Sequence, residues 1–163
     1  TLALAGAAAL AKHGLVRALQ ADAVRRGIEG VSWPGRLQWC RGRGRELLVD
    51  GAHNREAVAA LAGALDSVGL SGSVHLLFSC LDDKPLKAMA ALLSPRVTGV
   101  TVAPIASPRA TPLNDLAAAF PGCRRAGSVA AALLEIPSDR PTLVTGSLRL
   151  AGEVLAALGG DHA

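Results

Sequence analysis

The sequence predicts an α/β protein with a mostly parallel β-sheet flanked by helices. Through the last four-fifths of the chain, short apolar runs alternate with helical patterns, which is typical of βαβ units joined by right-handed crossovers. Half of the 163 residues are apolar and 18% are charged, so the chain can bury a sizeable core. Because aromatic residues are few, that core is predicted to consist of Leu, Val and Ala.

Helices precede the alternating region. Residues 1–13 predict an alanine-rich helix that ends at Gly14, and a second helical pattern covers residues 16–26. The segment GVSWPG (30–35) then interrupts the chain with proline and glycine, and it is interpreted as a linker.

The alternating region begins with two short strands. RLQW (36–39) and ELLV (46–49) predict strands joined by RGRGR, whose glycines favour a hairpin turn over a nucleic-acid-binding patch. These two strands are expected to add an antiparallel edge to the sheet. Four further strands are predicted at 74–78, 97–103, 124–126 and 142–146. Helices are predicted at 55–67, 111–120, 129–135 and 148–158, and another is predicted to begin at residue 85.

Three of these helices begin with explicit start signals. Pro85 follows the aspartates at 82–83, and a proline at the first helical position behind a carboxylate favours a helix start. Thr111, which precedes a proline, and Ser128 are expected to cap the next two helices with their hydroxyl groups.

The composition weighs against several classes of function. The scarcity of aromatic residues argues against binding of single-stranded nucleic acid by base stacking, and no apolar run reaches membrane-spanning length. Three widely spaced cysteines support neither a disulfide framework nor a zinc site, so no metal ligands are predicted. A net charge of +4 suits an anionic small ligand. Without a signal-peptide pattern, the chain is expected to be a cytoplasmic piece of a longer protein, with neither nucleic acid nor membrane as partner.

Polar residues follow three of the predicted strands. The three stretches are DGAHN (50–54), CLDDK (80–84) and TGS (145–147). Ligands of open α/β sheets bind beyond the carboxyl ends of the strands, so these stretches are expected to meet around one ligand.

The first stretch offers an acid, a histidine and an amide before a helix. Asp50 either accepts hydrogen bonds from a ribose or satisfies backbone amides, and the residue type favours the second interpretation. Asn54 is favoured as an N-cap. His53 is disfavoured as a cation beside a helix N-terminus, so it would serve better as a neutral hydrogen-bonding group or a phosphate partner, although a structural role stays open.

The other two stretches allow similar pairs of interpretations. Lys84 is either an exposed lysine paired with Asp83 or a cation near transferring phosphate oxygens. Ser147 either caps the last helix or helps that helix bind a substrate carboxylate. Arg109 is favoured as a solvated loop arginine over an anion ligand. Because the chain contains no G-x-x-x-x-G-K-[ST], H-E-x-x-H or G-x-S-x-G motif, the residues alone predict a polar site but no reaction.

Four motifs, taken together, resemble one enzyme family. WPGRLQW, LLVDGAHNREAVAAL, LLFSCLDDKPLKAM and TGSLRLAGEVLAAL are similar, in this order, to motifs of the folylpolyglutamate synthases and dihydrofolate synthases, which belong to the wider Mur ligase family. The resemblance implies that residues 31–163 form a Rossmann-like domain of the Mur ligase C-terminal type. It also implies that residues 1–30 are the last helices of a central ATPase domain.

The resemblance further implies an ATP-dependent ligase that joins folate or dihydropteroate to L-glutamate through an acyl phosphate. The P-loop, the Mg²⁺ ligands and much of the pterin site would then lie in the N-terminal and central domains of the same parent chain. This piece alone is therefore expected to be inactive. By the same resemblance, the nucleotide-binding residues are Arg36, Asp50, His53 and Asn54, the catalytic residues are His53 and Lys84, and Ser147 contacts the amino acid substrate.

Two positions depart from the family pattern. Arg55 stands where the family often has proline, and Arg149 stands where it often has tyrosine. Both leave open whether the parent makes dihydrofolate, extends polyglutamate tails or does both. The alternatives are a Mur-type peptidoglycan precursor ligase or another amide ligase, and a binding module without a catalytic partner.

Overall fold

A computed structural model describes residues 2–17, 20–42 and 44–159. The chain divides into two compact units, Thr1–Trp33 and Pro34–Ala163, and the division falls within the 30–35 segment. The assignment of the first unit to a central ATPase domain stays a prediction.

The first unit contains helices α1 (Leu2–Lys12) and α2 (Ala21–Glu29). Helix α1 agrees with the sequence prediction, but α2 begins five residues later than predicted. Gln20 precedes α2 with an extended backbone (φ −81°, ψ 134°), so the helix cannot begin before Ala21. The predicted helical residues 18 and 19 lie outside the described residues.

The second unit is built on a six-stranded sheet, which confirms the predicted α/β class. Its spatial order is β1-β2-β6-β3-β4-β5, and all neighbouring pairs are parallel except the β1–β2 hairpin. The antiparallel edge is therefore confirmed as well. The strands are β1 (Gln38–Gly42), β2 (Arg45–Val49), β3 (Val74–Phe78), β4 (Val97–Val102), β5 (Arg124–Arg125) and β6 (Thr142–Thr145).

Helices cover both faces of this sheet. They are α3 (Arg55–Ser67), α4 (Leu86–Leu93), α5 (Leu113–Ala119), α6 (Val129–Glu135) and α7 (Leu148–Ala157), and a single 3₁₀ turn (Ser94–Arg96) follows α4. Alternate residues of β3 point to opposite faces, so Phe78 packs with α3, α4 and α5, whereas Leu77 packs with α6 and α7. All five residues of β3 are buried, as expected for a central parallel strand.

One predicted helix start is off by one residue, and one predicted helix cap is wrong. Helix α4 begins at Leu86, and neither aspartate of the 82–83 pair caps it, because both face Arg109 and Asp83 also binds Lys84. Helix α5 likewise has no side-chain cap, because the Thr111 hydroxyl lies 3.3 Å from the Cys80 sulfur. The other predicted caps, Asn54 and Ser128, are confirmed by hydrogen bonds from Ala57 N and Ala131 N.

Candidate functional site

The predicted polar stretches lie side by side at one edge of the sheet. Strand β6 pairs in parallel with β2 on one side and with β3 on the other. The carboxyl ends of these three strands therefore point the same way, and 50–54, 145–147 and 80–84 follow them directly. This confirms the expectation that the three stretches are neighbours.

Hydrogen bonds lock the first two stretches together. The carbonyl of Ala52 accepts from the amide of Gly146 at 3.0 Å and from the hydroxyl of Thr145 at 3.4 Å. The amide of Asp50 donates to the carbonyl of Val144 at 2.9 Å, which continues the β2–β6 ladder beyond the strand. The two loops therefore form one backbone unit.

Gly146 is required for this close approach. Its backbone adopts φ +109°, a conformation that side chains rarely tolerate. A β-carbon at this position would lie 2.5 Å from the carbonyl oxygen of Ser79 and 2.6 Å from the ring of Phe78. Any larger residue would push the 145–147 loop away from β3.

A cleft of about 490 Å³ opens beside these loops. Its lining residues are His53, Leu81, Lys84, Gly146, Ser147, Leu148 and Arg149. Of the described residues that line it, none is acidic, and two carry a fixed positive charge. The cleft is therefore suited to an anionic ligand.

The cleft brings together only half of the predicted site residues. His53, Lys84 and Ser147 line it, whereas Arg36, Asp50 and Asn54 do not. Arg149, which the sequence analysis noted only as a departure from the family pattern, joins the first three. Its position two residues after Ser147 could have identified it as a cleft residue, because the first turn of a helix that follows a strand borders the ligand-binding edge of the sheet.

Asp50 is buried, and its carboxylate accepts hydrogen bonds from two backbone amides. One carboxylate oxygen accepts from the amide of Leu37 at 3.0 Å, and the other accepts from the amide of Ala52 at 2.8 Å. The amide of Gly51 also donates to the carbonyl of Gly35 at 2.7 Å. These bonds tie residues 35–37 to the end of β2, so the geometry favours the interpretation that Asp50 satisfies amides. Its predicted contact with ATP stays a prediction.

Arg36 is carried by the loop that Asp50 holds. The next residue, Leu37, has φ +44°, which turns the chain sharply into β1. The side chain of Arg36 is exposed, and within the described part of the chain no carboxylate lies in ion-pair distance of it. The guanidinium group is thus available to an anion, and its predicted contact with ATP stays a prediction.

His53 is half-buried and oriented by its own loop. Its Nδ1 lies 2.8 Å from the carbonyl oxygen of Gly51, and because a carbonyl only accepts, we assign the proton to Nδ1. In the neutral form Nε2 is then a hydrogen-bond acceptor. This arrangement equips His53 to accept a proton at Nε2.

Asn54 and Ser147 both cap helices. The Asn54 side chain accepts from Ala57 N at 2.8 Å and begins α3. The hydroxyl of Ser147 accepts from Arg149 N at 3.0 Å and begins α7, and Ser147 is buried. The Ser147 hydroxyl proton is still available to donate to a ligand, since capping uses only the oxygen.

Lys84 belongs to a cluster of four charged side chains. Its ammonium lies 3.2 Å from a carboxylate oxygen of Asp83, and the guanidinium of Arg109 lies 2.8 Å from the same oxygen. The hydrogen bond from Lys84, together with the charge of Arg109, lowers the pKa of Asp83, so this carboxylate is ionised at neutral pH. Asp82 lies 4.0 Å from Arg109, so the cluster holds two cations and two carboxylates whose charges balance.

The described residues include no group of three or more His, Cys, Asp or Glu side chains placed to hold a metal ion. Nor does any helix in the described ranges reach the length and apolar character needed to cross a membrane.

The fold and the site together define an α/β domain with a cation-lined cleft at the carboxyl ends of its parallel strands. Residues 35–156 match the family model described as Mur ligase, glutamate ligase domain, and the chain belongs to this family. The match covers the whole sheet of the second unit.

Individual relatives carry more specific names. The chain is 32% identical over 139 residues to a folylpolyglutamate synthase of Lacticaseibacillus casei, covering 83% of the chain and 32% of that protein. It is 36% identical over 118 residues to a dihydrofolate synthase/folylpolyglutamate synthase of Mycobacterium tuberculosis, covering 72% of the chain and 24% of that protein. The chain thus spans a third or less of these relatives.

A solved structure shares the fold. The bifunctional folylpolyglutamate synthase/dihydrofolate synthase of Yersinia pestis, complexed with AMPPNP and a Mn ion, superposes with a TM-score of 0.79 and 30% sequence identity. The superposition covers 97% of this chain and 39% of that one.

Proposed function

We propose that this chain is the C-terminal domain of an ATP-dependent folate:L-glutamate ligase. The observation that carries the proposal is the cleft at the strand ends, in which Lys84 and Arg149 supply positive charge and His53 supplies a proton acceptor. None of the described residues that line this cleft is acidic. The names of the relatives supply the substrate class, and the family name supplies glutamate as the amino acid.

In the proposed reaction, a carboxylate of the folate or dihydropteroate substrate accepts the γ-phosphoryl group of ATP and becomes an acyl phosphate. The amino group of glutamate then attacks the acyl carbon, the C–O bond to phosphate breaks, and the products are an amide, ADP and phosphate. Both steps move negative charge between oxygen atoms. Cations near those oxygens stabilise the transition states more than the ground states.

The residues of this chain would perform three tasks. Lys84 would hold phosphoryl oxygens from its place in the lining of the cleft. His53, through Nε2, would take the proton that the amino group of glutamate loses on attack. The Ser147 hydroxyl would donate to the amino acid from its fixed position at the start of α7.

ATP would be contacted by this domain on one side and by the other domains of the parent on the other side. Arg36 is exposed on a loop that Asp50 fixes to the sheet, which suits a guanidinium that meets the nucleotide across a domain cleft. A divalent cation would neutralise phosphate charge during transfer. By the family resemblance, its ligands would lie in the N-terminal and central domains of the parent. We therefore expect the isolated chain to be inactive.

The test uses the intact parent enzyme with dihydropteroate and with folates as acceptors. We expect ATP-dependent incorporation of glutamate, and we expect Arg36→Ala to lower kcat/KM for ATP by about tenfold or more, which corresponds to about 1.4 kcal/mol. Arg41→Ala is the matched control, because Arg41 is also an exposed arginine of this region but pairs with Glu46. Equal kinetics for wild type and Arg36→Ala would remove Arg36 from the site, and absence of glutamate incorporation would refute the proposed function.

A further inference from the structure

Arg149 occupies an electrostatically unfavourable position. It lies in the first turn of α7, two residues after the cap Ser147, and that turn contains no acidic residue. The N-terminus of a helix carries a partial positive charge, so a cation there is destabilising unless an anion lies nearby. In the described ranges no carboxylate lies within ion-pair distance of Arg149.

The guanidinium of Arg149 is nevertheless held in place. Its Nη1 donates to the carbonyl of Ala106 at 3.0 Å. The amide of Ala106 in turn donates to Glu153 at 2.7 Å, so the loop that positions the guanidinium is itself anchored to α7. The Glu153 carboxylate is used in that anchor. Because a guanidinium has five N–H donors, the contact with Ala106 leaves several for a ligand.

The other residues that line the cleft supply apolar surface, one hydroxyl group and a second cation. Leu148 and Leu81 contribute apolar side chains to the lining, and Ser147 offers a hydroxyl proton at the start of the same helix as Arg149. Lys84, the other fixed cation of the cleft, has its charge partly offset by Asp83. Arg149 is therefore the cation of this cleft that has no acidic partner among the described residues. A guanidinium binds a carboxylate through two parallel hydrogen bonds.

We propose that Arg149 binds a carboxylate of the amino acid substrate and thereby sets the preference for a dicarboxylic amino acid. This inference rests on the proposed ligase function. Only the amino group of glutamate reacts, so both of its carboxylates stay charged throughout and each requires a cation or hydrogen-bond donors. Ser147 already provides one donor at the same helix start, and Arg149 provides the charge.

The experiment compares the intact parent with its Arg149→Gln and Arg149→Lys variants. Initial rates are measured against glutamate, ATP and a pteroate acceptor that carries no glutamate tail. We expect Arg149→Gln to raise KM for glutamate about tenfold or more, with KM for ATP and for the acceptor within about twofold of wild type. Arg149→Lys is expected to recover part of the loss, because lysine keeps the charge but not the paired geometry.

Glutamine as a competing substrate identifies the carboxylate. If the preference for glutamate over glutamine falls with the loss of Arg149, the side-chain carboxylate is the partner. If KM for both amino acids rises equally, the α-carboxylate is the partner, and the inferred role of Arg149 in the preference for a dicarboxylic amino acid is overturned.

A matched control separates binding from folding. Arg140→Gln removes an arginine that pairs with Asp139 just before β6, at the opposite end of that strand from the cleft. It is expected to leave KM for glutamate unchanged. The inference is overturned if Arg149→Gln leaves KM for glutamate unchanged, raises KM for ATP or the acceptor instead, or alters all three together with a loss of thermal stability. In each of those cases wild-type glutamate incorporation still stands, whereas its absence overturns the proposed function itself.

Discussion

Replacing Gly146 with alanine is expected to destabilise the domain strongly. The substitution adds one methyl group at φ +109°, in contact with the carbonyl of Ser79 and the ring of Phe78. Both neighbours are fully buried, so neither has free space into which it can move. The methyl group must therefore displace either β3 or the 145–147 loop.

The magnitude follows from two effects. A non-glycine residue in this backbone region costs about 1–3 kcal/mol in conformational strain. Forcing an extra methyl group into a close-packed interior costs about another 1–3 kcal/mol. The sum is about 2–6 kcal/mol, a large part of the total stability of a typical domain. At roughly 4 °C per kcal/mol for a domain of this size, Tm should fall by at least about 8 °C.

The chain provides a control with the same chemical change. Gly152 lies inside α7, and a β-carbon there would meet no atom within 4 Å. Gly152→Ala is expected to stabilise the domain by up to about 1 kcal/mol, because alanine favours helix more than glycine does. The measurement is urea and thermal unfolding of both variants, with the free energy of unfolding and Tm of each compared with those of the wild type. A Gly146→Ala protein within about 0.5 kcal/mol of wild type would refute the close contact described for this loop.

Two further predictions concern pH and helix capping. Burial, assisted by the charges of Arg124 and Arg140, lowers the pKa of His75 below its ordinary value of 6.5. The unfolded chain therefore binds more protons than the folded chain below pH 6.5, so the free energy of unfolding should fall as the pH drops from 6.5. His75→Gln should make the free energy of unfolding less dependent on pH in this range. If the wild type and the variant gave parallel curves of stability against pH, His75 would not be the group responsible. Asn54→Ala should lose the cap of α3 and about 1 kcal/mol of stability, whereas Asn54→Asp should retain it, and equal losses in urea unfolding would rule out the capping role.

Much of the fold was predictable because its elements carry local signals. The apolar run of β3 and the period of α3 fix strand and helix without knowledge of their partners. Helix starts were less predictable where a distant residue competes for the cap. The 82–83 aspartates bind Arg109 from another loop, and Thr111 faces Cys80 across 31 residues of chain.

The candidate site was also predictable only in part. The sequence predicted that the ends of β2, β3 and β6 share one edge, because parallel strands connected by helices must end on the same side. It did not predict which polar residues face the cleft. Asp50 turns to the amide of Leu37, thirteen residues away, and that partner exists only after β1 folds back on β2.

The sequence by itself determined the order of strands and helices, the edge of the sheet where polar residues gather and the family resemblance of its motifs. These follow from periodicity and from short stretches of contiguous residues. The tertiary structure alone decided which loop Asp50 supports and that Arg149 lines the same cleft as Lys84. Those outcomes depend on contacts between residues far apart in the chain, and the direction of a side chain at a strand end is set by what packs against it.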